Sequence, residues 1–339
     1  MIRLAIDAAG GDYGYQTTIP ACQAIIKENP DVTLVLFGDE AIIQKELGGQ
    51  IDRIEIVHAP RLIDMGEKDP IHEIRKNKDT SMVMAFQAVK DKTVDGVVTC
   101  GPTQGVIVAA HLIIRRIKGM KRVALCPNVP SFQETGAIML DVGANIDIKP
   151  EYILQYAQFA NIYVKEVKGI ANPKCYLLNI GTEPGKGREL EKEVYHLLET
   201  SELNFLGNLE PKELLTSDAD IIITDGFTGN VAMKSFEGTA KAFGKALKEE
   251  IKSSLGGKIG YLFMRKNLKR FQERFSADKI GGATLFGVDG IVIKAHGASS
   301  PEAYQNAIRL AYKAVQKDIV CKMKTYLETH PLEEKTDVE

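Results

Sequence analysis

Residues 176–199 read YLLNIGTEPGKGRELEKEVYHLLE: a short apolar run, a glycine-rich turn and a charged helical pattern follow one another. Apolar runs that end in a glycine turn also occur at residues 3–7, 33–37, 96–100 and 221–224. Strands that alternate with helices pair in parallel, and strands covered by helices on both faces are continuously apolar. The pattern therefore predicts an α/β fold with a mostly parallel sheet flanked by helices.

The composition is that of an ordinary globular protein, with 44% hydrophobic and 26% charged residues in a chain of 339. A net charge of −2 excludes an overall field that would recruit nucleic acid. Five cysteines without a CxxC pair favour a reducing cytoplasm and no metal site. The first residues lack the pattern of a signal peptide, and no apolar run spans a bilayer. We expect a cytoplasmic protein without a metal or other cofactor.

The length fits one large α/β domain over residues 1–330, or two subdomains that share a cleft, with a polar tail at 331–339. Residues 246–275 differ from the rest, because they predict two helical stretches that break at Gly256-Gly257. The second stretch has one apolar and one basic face, and such helices bind anionic membranes or acidic partners. The alternative is a solvated helix packed on its own domain. The basic residues of this predicted protruding segment include Lys258, Arg265, Lys266, Lys269 and Arg270.

The GTEPGKG turn at residues 181–187 is the strongest candidate for an anion site. Its glycines let backbone N–H groups approach a phosphate, and the following helix adds its N-terminal dipole. Lys186 supplies a positive charge, whereas Arg188 stands where a nucleotide-binding P-loop needs Ser or Thr. The predicted phosphate ligands of this turn are Asn179, Gly181, Thr182, Gly185, Lys186 and Gly187.

The DGFTGN turn at residues 225–230 is the second candidate. Asn230 is predicted to orient a carbonyl or phosphate oxygen, and Asp225 to fix a lysine or accept a proton. Capping of the following helix is the alternative role for Asp225 and Thr228. Gly229 and Lys234, one helical turn after Asn230, complete the predicted substrate contacts.

Three further turns are weaker candidates. Asn145 in DVGANID is predicted to position substrate or to shape a tight turn, since that turn lacks the remaining ligands of a calcium loop. Lys294 and His296 in KAHG are predicted to bind substrate and to take part in catalysis, respectively. DAAGGD, at residues 7–12, lacks the third glycine of a dinucleotide fingerprint. Because ligands bind beyond the carboxyl ends of parallel strands, we expect all these turns to lie at one edge of the sheet.

Covalent catalysis is not indicated, because the chain has no GxSxG elbow and no turn cysteine with an evident histidine base. Cys100, just before Gly101, fits a buried small residue better than a nucleophile. Direct attack by a bound nucleophile, assisted by lysines, amides and backbone dipoles, fits these residues.

The motifs DAAGGD, KDTSM, DVGANID, NIGTEPGKG, DGFTGNV and KAHGAS occur here in the order found in the PlsX phosphate acyltransferases, which the chain resembles from about residue 2 to residue 315. The resemblance implies transfer of a fatty acyl group from acyl carrier protein to inorganic phosphate for phospholipid synthesis. It also implies an isocitrate/isopropylmalate dehydrogenase-like, phosphotransacetylase-like fold. A homodimer with peripheral membrane association is a further implication. The partners expected on this basis are acyl carrier protein, phosphate, an anionic membrane and a downstream glycerol-phosphate acyltransferase.

The chain departs from the family pattern at several positions, among them the proline that the family has a few residues after DAMGGD, where Tyr13-Gly14 stands here. Ala9 replaces the methionine of DAMGGD, and the family's SAGNTGA turn reads TCGPTQGV, with Pro102 for asparagine and Gln104 for glycine. Proline removes a backbone donor and glutamine adds bulk, so neither residue is assigned to the site. Two other functions remain open: a phosphotransacetylase-like enzyme that uses acyl-CoA, and a non-catalytic membrane scaffold.

Overall fold

The computed structural model describes residues 1–133, 135–274 and 281–331. Within them, eleven strands form one sheet in the order β3-β2-β1-β4-β11-β10-β5-β6-β9-β7-β8. The predicted α/β class is confirmed, and the apolar runs named above become five of these strands. The strands are β1 Ile2–Asp7, β2 Val32–Gly38, β3 Ile54–His58, β4 Gly96–Thr99, β5 Ala124–Val129, β6 Ala137–Leu140, β7 Cys175–Leu178, β8 Phe205–Leu209, β9 Ile221–Ile223, β10 Ala283–Phe286 and β11 Ile291–Lys294.

Helices connect most of the strands and cover both faces of the sheet. Successive side chains of β1 therefore pack in different hydrophobic clusters, with Leu4 and Ile6 on one face and Ala5 on the other. The helices are α1 Tyr15–Glu28, α2 Glu40–Leu47, α3 Pro70–Lys76, α4 Ser81–Lys90, α5 Thr103–Ala109, α6 Pro150–Tyr163, α7 Glu189–Glu199, α8 Gly226–Lys252, α9 Leu255–Arg274, α10 Pro301–Gln316 and α11 Ile319–Thr329.

Two short strands that interrupt the parallel pattern decide where the turns lie. β10 pairs antiparallel with both β11 and β5, and β5 pairs antiparallel with β6. β1, β2, β3, β4 and β11 are mutually parallel, as are β6, β9, β7 and β8. Because the three antiparallel steps reverse direction, the second set of strands runs opposite to the first.

α8 and α9 pack against each other, with the Lys252 ammonium 5.6 Å from the centre of the Tyr261 ring. The chain breaks at Ser253-Ser254 and not at the predicted Gly256-Gly257, because the Ser254 hydroxyl accepts a hydrogen bond from the N–H of Gly257 at the start of α9. The predicted segment 246–275 thus contains the end of α8 and all of α9. Residue 275, and residues 332–339 of the predicted tail, lie outside the described residues.

Candidate functional site

The candidate turns form two groups, and the expectation of a single edge is wrong. The first turn group follows β1, β4 and β11 and comprises residues 7–12, 100–104 and 294–297. The second turn group follows β6, β7 and β9 and comprises residues 141–147, 179–188 and 225–230. The two sets of strands run in opposite directions, so their carboxyl ends point in opposite directions as well.

Asp141 organises the turn after β6. Its buried carboxylate accepts hydrogen bonds from the backbone N–H groups of Leu125 (3.0 Å), Ala144 (3.1 Å) and Asn145 (2.7 Å). It also accepts one from the Asn145 amide at 2.9 Å. Burial raises the pKa of Asp141, and the four donors act in the opposite sense. The carboxylate therefore holds this turn in place through hydrogen bonds from the backbone N–H groups of the turn.

Asn145, predicted to position substrate, has its side-chain donors engaged within the protein. Its amide nitrogen donates to Asp141, to the Val123 carbonyl at 2.6 Å and to the Tyr156 hydroxyl at 3.0 Å. Asn145 consequently shapes the turn beneath the site and offers no free amide donor to a substrate.

Asn179 forms hydrogen bonds with both ends of the GTEPGKG turn, which follows β7. The Asn179 amide donates to the Lys186 carbonyl at 3.0 Å, and its oxygen accepts from the Ile180 N–H at 2.8 Å. Gly187 has a φ of 94°, and a Cβ there would lie 2.8 Å from the Asn179 oxygen. Only glycine fits this position. Asn179 therefore shapes the turn from within, whereas it was predicted to bind phosphate.

Lys186 lies at the exposed rim of this turn, with its side chain 49% exposed and its ammonium 3.8 Å from the Glu183 carboxylate. Thr182 and Gly185 are exposed beside it, whereas Gly181 is buried. Within residues 1–133, 135–274 and 281–331, the N–H groups of Gly185 and Gly187 have no hydrogen-bond partner. These donors and the ammonium group fit the binding of an anion.

Arg188 joins the GTEPGKG turn to the DGFTGN turn. Its guanidinium forms salt bridges with Glu191 and with the buried Asp225, and it lies 3.3 Å from the Thr228 hydroxyl. Asp225 in turn caps α8, because its carboxylate accepts from the Thr228 N–H and hydroxyl, each at 2.8 Å. Asp225 thus fixes an arginine where a lysine was expected, and both Asp225 and Thr228 take the capping role named as their alternative.

Asn230 is the fifth residue of α8 and lies beside the Asp141 turn. A Cβ on Gly143 would lie 3.3 Å from the Asn230 amide nitrogen, and one on Gly229 would lie 2.1 Å from the Asp141 carbonyl oxygen. The helix and the turn therefore touch only because both positions are glycine. The Asn230 amide has no hydrogen-bond partner in the described chain, so it is available to a substrate. Lys234 is exposed one turn further along.

The first turn group is organised by Asp7, a buried carboxylate that sequence reasoning did not select. It accepts hydrogen bonds from the hydroxyls of Ser81 and Thr99, both at 2.6 Å, and from the Gly10 N–H. Burial raises its pKa, against the effect of these donors. The KDTSM motif thus serves to place Ser81 against the end of β1.

The turns after β1, β4 and β11 touch each other closely. The Asp12 N–H donates to the Gly297 carbonyl at 2.9 Å, and a Cβ on Gly11 would lie 2.6 Å from Cβ of Cys100. Cys100 is buried, which raises its pKa to about 12 and confirms its interpretation as a small core residue. Lys294 reaches this junction from β11 and is half-buried.

His296 is exposed in the KAHG turn, and its Nδ1 accepts a hydrogen bond from the Ala298 N–H at 3.2 Å. A neutral ring that accepts at Nδ1 carries its proton on Nε2, so His296 presents a donor to the solvent side. It lies in the first turn group with Lys294, apart from the predicted catalytic residues Lys186, Asp225 and Asn230 of the second.

Three organising residues escaped sequence reasoning: Asp7, Asp141 and Arg188. The two aspartates carry a readable signal, since each ends an apolar strand immediately before a small-residue turn. Arg188 gives a weaker signal, because it is a cation directly before the acidic N-terminus of a helix. In the sequence it served only as an argument against a P-loop. Its partner Asp225 is 37 residues away, which no local pattern reveals.

α9 exposes the residues predicted to contact carrier or membrane, Lys258, Arg265, Lys266, Lys269 and Arg270. Its apolar side chains are exposed too: Leu262 is 72% and Phe263 84% exposed. α9 also packs against α8, as the alternative of a solvated helix packed on its own domain predicts. No helix among the described residues is long and apolar enough to cross a membrane.

Comparison with known proteins agrees with the motifs. A family model described as "Fatty acid synthesis protein" matches residues 2–323. A phosphate acyltransferase of Acholeplasma laidlawii is 48% identical over 330 residues, covering 96% of this chain and 98% of the relative. One of Staphylococcus aureus strain MRSA252 is 44% identical over 325 residues, with the same coverage of both chains.

The fold also has a solved counterpart. The structure of the EutD phosphotransacetylase from Staphylococcus aureus superimposes with a TM-score of 0.57 and 15% sequence identity, over 93% of this chain and 94% of that one. At this identity the likeness establishes the phosphotransacetylase-like fold alone. The sequence matches over nearly the whole length show that the chain belongs to the family its motifs resemble, the PlsX phosphate acyltransferases, which are acyltransferase enzymes.

Proposed function

We propose that this enzyme transfers a fatty acyl group from acyl carrier protein to inorganic phosphate, forming the acyl phosphate used in phospholipid synthesis. The observation that carries the proposal is the second turn group. There, Lys186 and open backbone donors stand in one turn and the free Asn230 amide in the next, and Arg188 joins the two turns through Asp225. Such a set of fixed donors suits an anionic nucleophile and a developing oxyanion.

In the proposed reaction, phosphate is held by the N–H groups of Gly185 and Gly187 and by the ammonium of Lys186. One phosphate oxygen attacks the thioester carbonyl carbon, a C–O bond forms, and the carbonyl electrons move onto the oxygen. The C–O double bond then re-forms as the C–S bond breaks and the thiolate leaves. The thiolate takes a proton from solvent.

The oxyanion needs a donor, and Asn230 is the residue best placed in the second turn group. Its amide is unengaged and lies at the start of α8, where the helix dipole adds positive potential. A thiolate leaves readily, so the reaction needs no strong general acid. Positioning of two substrates that are dilute in solution supplies much of the acceleration.

The decisive experiment measures acyl phosphate formation and thiol release by the purified enzyme from acyl carrier protein thioester, with and without phosphate. We expect release that depends on phosphate and forms one acyl phosphate per thiol. Equal or greater kcat/KM with acyl-CoA would favour the phosphotransacetylase-like alternative. If neither acyl carrier protein thioester nor acyl-CoA yields acyl phosphate, the non-catalytic membrane scaffold would be the remaining alternative.

We also propose that α9 is the contact surface for the acidic carrier protein or an anionic membrane, in a homodimer that delivers acyl phosphate to a downstream glycerol-phosphate acyltransferase. The basic and apolar side chains of α9 are exposed together, and each cation near an anionic leaflet adds about 1 kcal/mol of attraction. Localisation is therefore proposed as cytoplasmic and peripherally membrane-associated.

Charge reversal tests this surface. We expect glutamate at Arg265, Lys266, Lys269 and Arg270 to weaken sedimentation with phosphatidylglycerol vesicles and to raise the KM for acyl carrier protein. The matched control reverses Lys313 and Lys317, two exposed lysines near the end of α10. Unchanged vesicle binding and unchanged KM would reduce α9 to a structural element.

A further inference from the structure

A basic loop precedes β5 and has no role in the site described above. Residues 115–122 read RRIKGMKR, so that five of the eight residues are cations and none is acidic. Ile117 and Met120 are buried in the core, with 2% and 4% of their surface exposed. These two apolar side chains anchor the loop, and the cations around them are directed to solvent. The exposed cations are Arg115, Arg116, Lys118 and Arg122.

Hydrogen bonds to two other elements fix the backbone of the basic loop. The Ile117 N–H donates to the Gly287 carbonyl, which follows β10, at 3.0 Å. The buried Gln155 of α6 donates to the Gly119 carbonyl at 3.2 Å and accepts from the Lys121 N–H at 3.5 Å. A surface that is already ordered loses little conformational entropy when a partner binds to it.

The positive charge of the basic loop is not neutralised by neighbouring carboxylates. Within the described part of the chain, none of the four exposed cations forms an ion pair. Asp289 contacts the loop, since its N–H donates to the Arg115 carbonyl at 2.9 Å, but its carboxylate pairs with Lys324 at 2.5 Å. Burial, and then the charges of two arginines of the loop, lower the pKa of the neighbouring His111. The loop therefore presents a positive surface.

The basic loop lies beside the second turn group. Arg122 is followed by Val123, whose carbonyl accepts from the Asn145 amide at 2.6 Å. Two residues before Asn145, a Cβ on Gly143 would lie 3.3 Å from the free amide nitrogen of Asn230. The basic loop, the DVGANID turn and the start of α8 are therefore in contact one after the other.

We propose that the basic loop is a docking surface for the acidic carrier protein that brings the acyl thioester to the second turn group. The inference rests on the proposed function, in which an acyl carrier protein is the donor. Three of the four exposed cations are arginines, whose planar guanidinium groups bind carboxylates through two parallel hydrogen bonds. The charge of the loop steers an acidic partner to the part of the enzyme where its thioester reacts.

An anionic membrane fits the basic loop less well than it fits α9. Surfaces that lie on a bilayer combine cations with apolar side chains that enter it, as α9 does with the exposed Leu262 and Phe263. In the basic loop the apolar side chains, Ile117 and Met120, are buried instead. The loop thus offers charge complementarity without insertion, which favours a water-soluble acidic protein.

Replacing Arg115, Lys118 and Arg122 together with glutamate tests the proposal. Arg116 is kept, because its guanidinium donates to the Lys121 carbonyl within the loop. We expect this triple variant to bind labelled acyl carrier protein about tenfold more weakly in fluorescence anisotropy at about 50 mM salt. Added salt should weaken binding by the unmodified enzyme more than binding by the triple variant.

The matched control makes the same change in net charge elsewhere, with glutamate at three exposed lysines of α1, α2 and α10. These lysines are Lys27, Lys45 and Lys313. The control should bind carrier protein as the unmodified enzyme does. Both variants should sediment equally with phosphatidylglycerol vesicles, because the basic loop is not the membrane contact in this proposal.

A second measurement needs no substitution and decides the matter if the triple variant does not fold. Carbodiimide joins carboxylates to amines that are in contact, so it is applied to the unmodified enzyme mixed with acyl carrier protein. We expect mass spectrometry to identify a coupled peptide that contains Lys118. Coupling through the lysines of α9 alone would overturn the proposal.

Two further results would overturn it. One is normal carrier affinity in the folded triple variant, and the other is loss of vesicle binding with carrier binding retained, which would make the basic loop a membrane contact. Acyl phosphate formation by the unmodified enzyme is assayed in parallel. If acyl phosphate forms from acyl carrier protein while the triple variant binds the carrier normally, this inference alone fails. If the unmodified enzyme binds no carrier protein and uses only acyl-CoA, the proposed function fails with it.

Discussion

The two turn groups are each organised by one buried aspartate, but through different kinds of contact. Asp7 accepts from the hydroxyls of Ser81 and Thr99, which are 74 and 92 positions away in sequence. Asp141 accepts mainly from Ala144 and Asn145, three and four positions on. The first turn group thus takes shape only when β1, β4 and α4 have assembled, whereas much of the second is encoded in a single turn.

This difference extends to the groups available for chemistry. In the second turn group, Lys186 is half-exposed and Asn230 keeps a free amide, so both are accessible from solvent. In the first, Lys294 is half-buried at the end of β11. We infer that the second group contributes the donors that act on phosphate and the thioester.

Among the variants that test this comparison, Lys186→Ala should have the largest effect on activity. Removing a charge that contacts the nucleophile is expected to lower kcat/KM for phosphate by about 10²- to 10³-fold. Because the side chain is exposed, the free energy of unfolding should change by less than about 0.5 kcal/mol. Steady-state assays over a range of phosphate concentrations and denaturant titration provide the measurements.

The control is Lys192→Ala, an exposed lysine on α7 that pairs with Glu189. It should leave turnover unchanged. If Lys186→Ala also keeps normal phosphate dependence, the second turn group is not the phosphate site.

Replacing each of the two organising aspartates with asparagine should lower the free energy of unfolding by different amounts in the two turn groups. In Asp141→Asn the new NH₂ group faces N–H donors that cannot turn away, so we expect a loss of about 2–4 kcal/mol in the free energy of unfolding. In Asp7→Asn the hydroxyls of Ser81 and Thr99 can rotate to accept, and the expected loss is below about 1 kcal/mol. Denaturant titration of both variants checks the difference, and equal losses would contradict the distinction between rigid and adjustable donors.

Arg188→Met tests the link within the second turn group. It leaves the buried Asp225 carboxylate with only its Thr228 partners, which should cost about 1–2 kcal/mol of unfolding free energy. The value is modest because the arginine side chain is 57% exposed and its ion pairs are screened by solvent. We also expect kcat/KM to fall by about tenfold, because Arg188 no longer holds the two turns in position relative to each other.

Arg188→Lys should restore part of the activity, since one ammonium can reach one carboxylate but cannot bridge Asp225 and Glu191 together. Calorimetric unfolding and the thiol-release assay measure the two effects separately. A variant with full activity and reduced stability would make Arg188 a purely structural residue.

The fold class and the location of the turns of the second turn group were predictable because their signals are local. An apolar run, a glycine turn and a helix N-terminus occupy consecutive positions, as at residues 176–199, and they mark Lys186 and Asn230 as candidates in the same way. The strands β5 and β10 were not anticipated. Short strands carry little periodic signal, and their antiparallel pairing is set by partners far away in the chain.

That missed reversal explains the error about a single edge, since strand direction cannot be read from one strand alone. The roles of Asp7 and Arg188 were missed for a related reason: their partners lie 37 to 92 residues away. Asn145 and Asn179 lie in turns that the motifs mark as candidates, but the sequence did not show that their amides are used within the protein. Burial and pairing depend on tertiary contacts that a motif does not contain.

The smallest effect is expected where the chain departs from its family, in the first turn group. Pro102 stands before the first residue of α5 with φ −61° and ψ 135°, a conformation open to asparagine, and Gln104 is exposed within that helix. Pro102→Asn gains a capping side chain but loses the restriction that proline places on the unfolded chain, two contributions of about 0.5–1 kcal/mol with opposite sign. Gln104→Gly should cost at most about 1 kcal/mol, the helix penalty of glycine. The side chains of Pro102 and Gln104 make no hydrogen bond within the described residues, so kcat/KM should stay within about twofold in denaturant-free assays of both variants. A larger change would mean that this turn contacts substrate directly.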